Sequence, residues 1–162
     1  MRGWEGEEGG KVRGGEGEKG MGKMAKIKSV RDLEVYALAF ETAMEIFQIT
    51  KGFPQEEKYS LVDQIRRSSR SICSNLAEAW RKRRYKAVFK NKLTDAMQEA
   101  SETQTWLDFC FACNYIDQNK FNVLDQKYEH ILAMLNNMEL KADSFCFSPS
   151  QPHKRAASRN ER

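Results

Sequence analysis

Residues 61–84 read LVDQIRRSSRSICSNLAEAWRKRR. Apolar or small side chains recur there every three or four positions, as on the buried face of an α-helix. Those positions are Leu61, Ile65, Ser69, Ile72, Leu76, Ala79 and Trp80. The segment predicts a helix from about residue 57 to 83, and its serines and alanines permit a neighbouring helix to approach closely.

The surrounding sequence lacks residues that break helices. The three prolines are Pro54, Pro149 and Pro152, and nine of the ten glycines lie within residues 1–22. Residues 55–148 therefore contain neither glycine nor proline. Strand-rich folds need a turn every 8–12 residues, usually built with such residues, so this stretch predicts long helices.

Three more segments have helical spacing. The first runs from about residue 31 to 51, with Ser29 or Asp32 as N-cap and Gly52 as the stop. Its predicted buried face is Leu33, Tyr36, Ala37, Phe40, Ala43, Met44 and Phe47. The next covers residues 86–113, with Asn114 as a left-handed cap, and buries Phe89, Leu93, Ala96, Ala100, Leu107 and Phe111. Asp117 caps the last, which buries Phe121, Leu124, Tyr128, Ile131, Leu135 and Met138.

These helices predict the fold and the domain organisation. Short links between helices of about 30 Å force antiparallel neighbours, so residues 29–140 are predicted to form an all-α, up-down-up-down four-helix bundle. A chain of 162 residues has room for one such domain. Residues 1–28 and 141–162 are predicted to be disordered tails, and Met24 is an alternative start of translation.

Neither a signal peptide nor a membrane-spanning stretch is evident. No run approaches the ~18 consecutive apolar residues that a transmembrane helix requires. Charged residues make up 31% of the chain and hydrophobic residues 40%. We therefore expect a cytoplasmic protein without a membrane partner.

Charge is distributed unevenly along the chain. Residues 24–63 hold five basic and seven acidic side chains, residues 64–92 hold ten and one, and residues 93–140 hold two and eight. The net charges are −2, +9 and −6. On a helix at 100° per residue, Arg66, Arg70, Arg81 and Arg84 share one sector of about 60° beside the apolar face.

This cationic ridge has three interpretations. Arginine binds phosphate or carboxylate through two parallel hydrogen bonds, so the ridge is suited to nucleic acid. It is equally suited to pairing with the acidic segment, within the bundle or between subunits. The cations of residues 81–84 are also typical of a solvated helix C-terminus.

Other candidate sites are weaker. Cys110 and Cys113 form a CxxC pair, but neither Cys73 and Cys146 nor the two histidines complete a metal-ligand pattern. We expect buried or partly buried thiols, no metal and no cofactor. No glycine occurs in residues 53–162, which excludes a glycine-rich phosphate loop there.

Asn75 and Glu78 lie one turn apart on the second helix, away from the arginine sector. A polar pair beside small residues can bond a neighbouring helix or mark an active site. No histidine, Ser–His pair or second carboxylate accompanies it in the sequence, so a structural role is the better interpretation.

Four stretches together carry a family resemblance: residues 32–36 (DLEVY), 53–54 (FP), 61–69 (LVDQIRRSS) and 71–78 (SICSNLAE). Across residues 28–140 the chain resembles the four-helix-bundle proteins encoded within intervening sequences of bacterial 23S ribosomal RNA genes. It departs at Cys73, Ala79 and Asn114, where the family often has Pro, Gly and Gly. None of these changes threatens the fold.

The resemblance implies a ring-shaped homopentamer without known enzymatic activity. The fold is also similar to that of the accessory protein of diversity-generating retroelements, a basic pentamer that binds a reverse transcriptase and nucleic acid. We therefore predict a non-catalytic oligomer that binds RNA or DNA through backbone phosphates. The predicted contacts are Arg66, Arg67, Arg70, Arg81, Arg83, Arg84, Lys86 and Lys90.

The alternative is an assembly module that recruits a nucleic-acid-processing protein such as a reverse transcriptase and uses the ridge between subunits. An enzyme acting through Asn75 and Glu78 ranks third.

Overall fold

A computed structural model describes residues 26–148, which form four long helices. The helices are α1 (Glu34–Thr50), α2 (Leu61–Arg81), α3 (Lys86–Ala112) and α4 (Gln118–Leu140), followed by a short α5 (Ala142–Phe145). Single 3-10 turns, Val30–Asp32 and Gln55–Glu57, precede α1 and α2. Consecutive helices pack against each other and α4 packs back against α1, so the predicted four-helix bundle is confirmed.

Three of the four predicted helix faces enclose the core. All seven positions predicted for α2 are buried. In α3 and α4 the predicted positions are buried except Phe111 and Phe121, which are half-buried and stack on each other at the end of the bundle. Between α2 and α3, Thr103 donates a 2.8 Å hydrogen bond to the equally buried Ser68, so this polar pair is internally satisfied.

The predicted face of α1 is wrong in most of its positions. Leu33 and Ala43 are buried as predicted, but the other buried residues of the helix are Val35, Ala39, Thr42, Ile46 and Thr50. Of the predicted set, Phe40 is 54% exposed and Met44 41% exposed. Apolar residues alone did not reveal this buried face, because it includes Thr42 and Thr50. The hydroxyls of these threonines donate to the carbonyls of Leu38 and Ile46 one turn back, so both residues can be buried without an unsatisfied polar group.

The helix ends differ from the predicted ones by a few residues. Ser29 caps the first 3-10 turn, so α1 begins only after the extended Leu33. The turn after Pro54 delays α2 to Leu61. After α3, Asn114 has the predicted left-handed conformation, with φ of 59°. Asp117 caps α4 by accepting a 2.7 Å bond from the backbone N–H of Lys120.

Ordered structure continues past the predicted end of the bundle at residue 140. Ala142 is buried, and the ring of Phe145 lies 6.1 Å from that of Phe89 on α3. The backbone N–H of Phe147 donates to the carbonyl of Arg83 over 3.1 Å. Residues 142–147 therefore belong to the packed domain, because Phe145 packs on α3 and Phe147 contacts Arg83 in the turn before α3. The rest of both predicted tails beyond residues 26–148, and the alternative start at Met24, lie outside the described residues.

Within residues 26–148, no helix has the combination of length and apolarity needed to cross a membrane.

Candidate nucleic-acid interface

Three of the eight predicted contact residues are neutralised within the chain. Arg67 lies 2.7 Å from Glu102, Lys86 lies 2.6 Å from Asp143, and Lys90 lies 3.5 Å from Glu139. Their acidic partners are distant in sequence, on α3, α5 and α4. Because each charge already has a counterion, these cations contribute less to an outward positive field than the sequence suggested.

Arg67 also meets Glu99, at 3.9 Å. Burial and the neighbouring Glu102 raise the pKa of Glu99 above its usual range. The two carboxylates thus hold Arg67 on the α2–α3 side of the bundle, and Arg67 is not a free cation for phosphate binding.

Arg66 and Arg70 both lie over the ring of Phe47 on α1. The guanidinium carbons are 4.7 and 5.6 Å from the ring centroid, close enough for a cation–π interaction. Arg66 also donates through Nε to the hydroxyl of Thr50 over 2.8 Å. Arg66 therefore connects α2 to α1. Arg70 is exposed and forms no ion pair with the carboxylates of residues 26–148.

Arg83 is held at the α2–α3 corner. Its guanidinium lies 3.6 Å from the ring of Trp80 and 4.8 Å from that of Phe147, and its Nε donates to the carbonyl of Trp80. Burial lowers the pKa of Arg83, although a guanidinium remains charged at neutral pH. Arg83 thus has a packing role as well as a charge.

Arg81 and Arg84 are the predicted residues that remain exposed without stacking or ion-pair partners in the described part of the chain. Arg81 lines an open cleft of about 480 Å³ between α2 and the segment preceding α1. We call this the basic cleft. It is lined by Lys28, Ser29, Val30, Arg31, Tyr36, Ala77, Trp80 and Arg81.

The basic cleft brings together three cations that form no ion pair. The side-chain nitrogens of Lys28, Arg31 and Arg81 lie more than 4 Å from every carboxylate oxygen within residues 26–148. The carboxylate of Asp32 lies beside the cleft, where it accepts from the backbone N–H groups of Ser29 and Lys28 at 2.8 and 2.9 Å. These two bonds and the nearby Lys28 charge hold the pKa of Asp32 below its usual value. Three cations against this one carboxylate leave the cleft with a net positive charge.

Lys28 and Arg31 were not among the contacts predicted from the sequence. Summing charge over residues 24–63 gave −2 and concealed them. The available signal was local: Lys26, Lys28 and Arg31 cluster immediately before the first helix. The bundle brings this cluster beside the end of α2, where Arg81 lies.

The other candidate sites are occupied by structural contacts. Asn75 donates to the carbonyl of Ser71 on its own helix, and Glu78 pairs with Lys92 of α3 at 2.6 Å. Burial raises the pKa of Cys73 to about 11 and, together with Cys113, that of Cys110 to about 12. Thiols with such pKa values are poor nucleophiles and metal ligands. Cys110 is buried as predicted, whereas Cys113 is exposed. In residues 26–148, no three His, Cys, Asp or Glu side chains are grouped to hold a metal ion.

The protein is an antiparallel four-helix bundle with the basic cleft at the C-terminal end of α2. The model of the 23S rRNA-intervening sequence protein family matches residues 31–137, and the chain belongs to this family. The chain is also similar to a crystal structure of a protein of unknown function from the S23 ribosomal protein family of Bacteroides thetaiotaomicron. Sequence identity is 30%, the TM-score is 0.59, and the alignment covers 65% of this chain and 95% of that one. None of the curated proteins compared with the chain matches it.

Proposed function

We propose that the protein is a non-catalytic, homo-oligomeric bundle that binds RNA or DNA through backbone phosphates, with the basic cleft as its principal contact. The observation that carries this proposal is the convergence of Lys28, Arg31 and Arg81 in one cleft, where none of the three forms an ion pair with a described carboxylate. Phosphate contacts of this kind are insensitive to sequence.

The cleft has the chemistry that a phosphate backbone requires. Two guanidinium groups offer paired N–H donors, and Lys28 adds a mobile point charge. Arg70 on α2 and Arg84 in the turn after α2 add two exposed cations on either side of Arg81 along the chain. A few contacts per subunit bind weakly, but a ring repeats them, and a pentamer of the kind that the family resemblance implies would gain affinity through avidity.

Catalysis is not part of this proposal. Asn75 and Glu78 are engaged with Ser71 and Lys92, and the raised pKa values of Cys73 and Cys110 keep both thiols protonated at neutral pH. The chain's own residues therefore favour binding over bond-making chemistry.

Salt dependence tests the proposal. Binding of a mixed-sequence DNA duplex and of an RNA of the same length is measured at several salt concentrations. Releasing counterions from three phosphates gives a slope of log affinity against log salt of about −3 for each engaged subunit on duplex DNA. A flat salt dependence, or no binding at low salt, contradicts the proposal.

A second candidate function is an assembly module that recruits a nucleic-acid-processing protein. It is favoured by the half-exposed Phe40 and Met44, which form an apolar groove beside Arg70. Charge reversal at Arg81 separates the two functions, because Arg81 belongs to the cationic ridge but does not line this groove, whereas reversal at Arg66 would also disturb the fold. Loss of the oligomer in Arg81→Glu favours the assembly module, and an intact oligomer that binds nucleic acid less well favours the first function.

A further inference from the structure

The first of two exposed apolar surfaces lies along the seam between α1 and α2. This α1–α2 groove has a volume of about 360 Å³ and is lined by Tyr36, Phe40, Ala43, Met44, Arg70, Cys73, Ser74 and Ala77. Small residues form its floor, and Phe40 stands at its edge with 54% of its surface exposed. Among the described residues, Arg70 is the one charged side chain that lines it.

The second surface lies on the other side of α2, at the seam with α3. This α2–α3 groove has a volume of about 350 Å³ and is lined by Glu57, Ser60, Leu61, Gln64, Trp106, Phe109 and Cys113. Phe109 stands at its edge, 52% exposed, with its ring 5.9 Å from that of Trp106. Its charged lining residue in the described chain is Glu57, whose carboxylate Ser60 and Tyr115 fix by hydrogen bonds.

The two grooves complement each other in size, chemistry and charge. Each holds space for an aromatic side chain, and each presents a half-exposed phenylalanine. One groove has a cation without a carboxylate partner, and the other has an oriented carboxylate. An apolar surface that also matches its counterpart in charge is typical of a protein interface.

We propose that the occupant of the α1–α2 groove is the α2–α3 groove edge of a second copy of this chain, with Phe109 inserted beside Phe40. The inference rests on the self-association in the proposed function and specifies its geometry. Because two different patches meet, the contact is heterologous, and repetition of it closes into a ring or extends as a filament.

Reciprocal variants test this pairing. Phe40→Asp places a charge in the α1–α2 groove and leaves Phe109 intact. Phe109→Asp removes the inserted ring and leaves the α1–α2 groove intact. We expect an oligomer larger than a dimer for the wild-type chain and a monomer for each variant alone. Mixed in equal amounts, the two variants should form a one-to-one dimer. Phe109 of the Phe40→Asp variant can still insert into the intact α1–α2 groove of the Phe109→Asp variant, and the other surface of each variant is disrupted, so the dimer cannot add further copies. Analytical ultracentrifugation measures all four samples.

Tyr59→Asp is the matched control, since Tyr59 is an aromatic residue 84% exposed and outside both grooves. It should retain the wild-type assembly. Circular dichroism should show wild-type helicity for every variant, because all three side chains are exposed.

Different failures lead to different conclusions. Variants that remain oligomeric, or monomeric variants that form no dimer on mixing, overturn the pairing but leave self-association standing. A monomeric wild-type chain overturns both the pairing and the homo-oligomer, while phosphate binding in the cleft would stand. If that monomer loses nucleic-acid affinity in Phe40→Asp, the occupant of the groove is nucleic acid and the pairing is wrong.

Discussion

Replacing Ile46 by alanine is expected to lower the free energy of unfolding by about 2–5 kcal/mol. The side chain is 1% exposed and lies on the face of α1 that enters the core. Truncation removes apolar contacts and leaves a cavity that the four surrounding helices can only partly close. Chemical denaturation at a fixed protein concentration measures the change.

Gln48→Ala is the control for helix propensity, because Gln48 is exposed two residues further along the same helix. Its effect should stay within about 0.5 kcal/mol. If Ile46→Ala were as mild as the control, α1 would pack through its other face, with Phe40 and Met44 inward, and neither groove assignment on α1 would hold.

Replacing Phe89 by alanine should cost about 3–5 kcal/mol. The ring is fully buried at the start of α3 and stacks on Phe145 of α5. Its loss also removes the partner that holds residues 142–147 against the bundle. Hydrogen exchange at the N–H of Phe147, which donates to Arg83, should therefore become faster than in the wild-type chain.

The control for Phe89 is Tyr59→Ala, an aromatic truncation at a highly exposed position. It should change stability by no more than about 0.5 kcal/mol and leave exchange at Phe147 unaltered. A cost below about 1 kcal/mol for Phe89→Ala would show that the start of α3 and the C-terminal segment are not packed as described.

Helical spacing predicted most of the fold because three helices have a single apolar face. α1 has two. Tyr36, Phe40 and Met44 repeat at helical spacing as well as Val35, Ala39 and Ile46 do, and a linear sequence does not state which set meets the other helices. The set with the smaller side chains is buried, and the larger set is left at the surface, where it forms the α1–α2 groove.

The candidate site was less predictable than the fold, because electrostatic partners are set by tertiary contacts. Arg67 and Arg81 are both predicted contacts on α2, yet Arg67 meets Glu99 and Glu102 of α3 while Arg81 meets none of the described carboxylates. Sequence charge counts treat the two alike. The contribution of residues 28–31 to the cleft likewise depends on where the segment before α1 crosses α2.

Phosphate is expected to contact the basic cleft, whose cations form no ion pair within residues 26–148, rather than the paired cations Arg67 and Lys90. The salt dependence of duplex DNA binding distinguishes these sites in two double variants that remove equal charge. Arg31→Gln with Arg81→Gln should weaken binding for every sequence and make the salt slope shallower by about 2 per engaged subunit. Arg67→Gln with Lys90→Gln should leave the slope nearly unchanged. An equal or larger loss of slope in the second variant, or none in the first, would show that the basic cleft is not the phosphate contact.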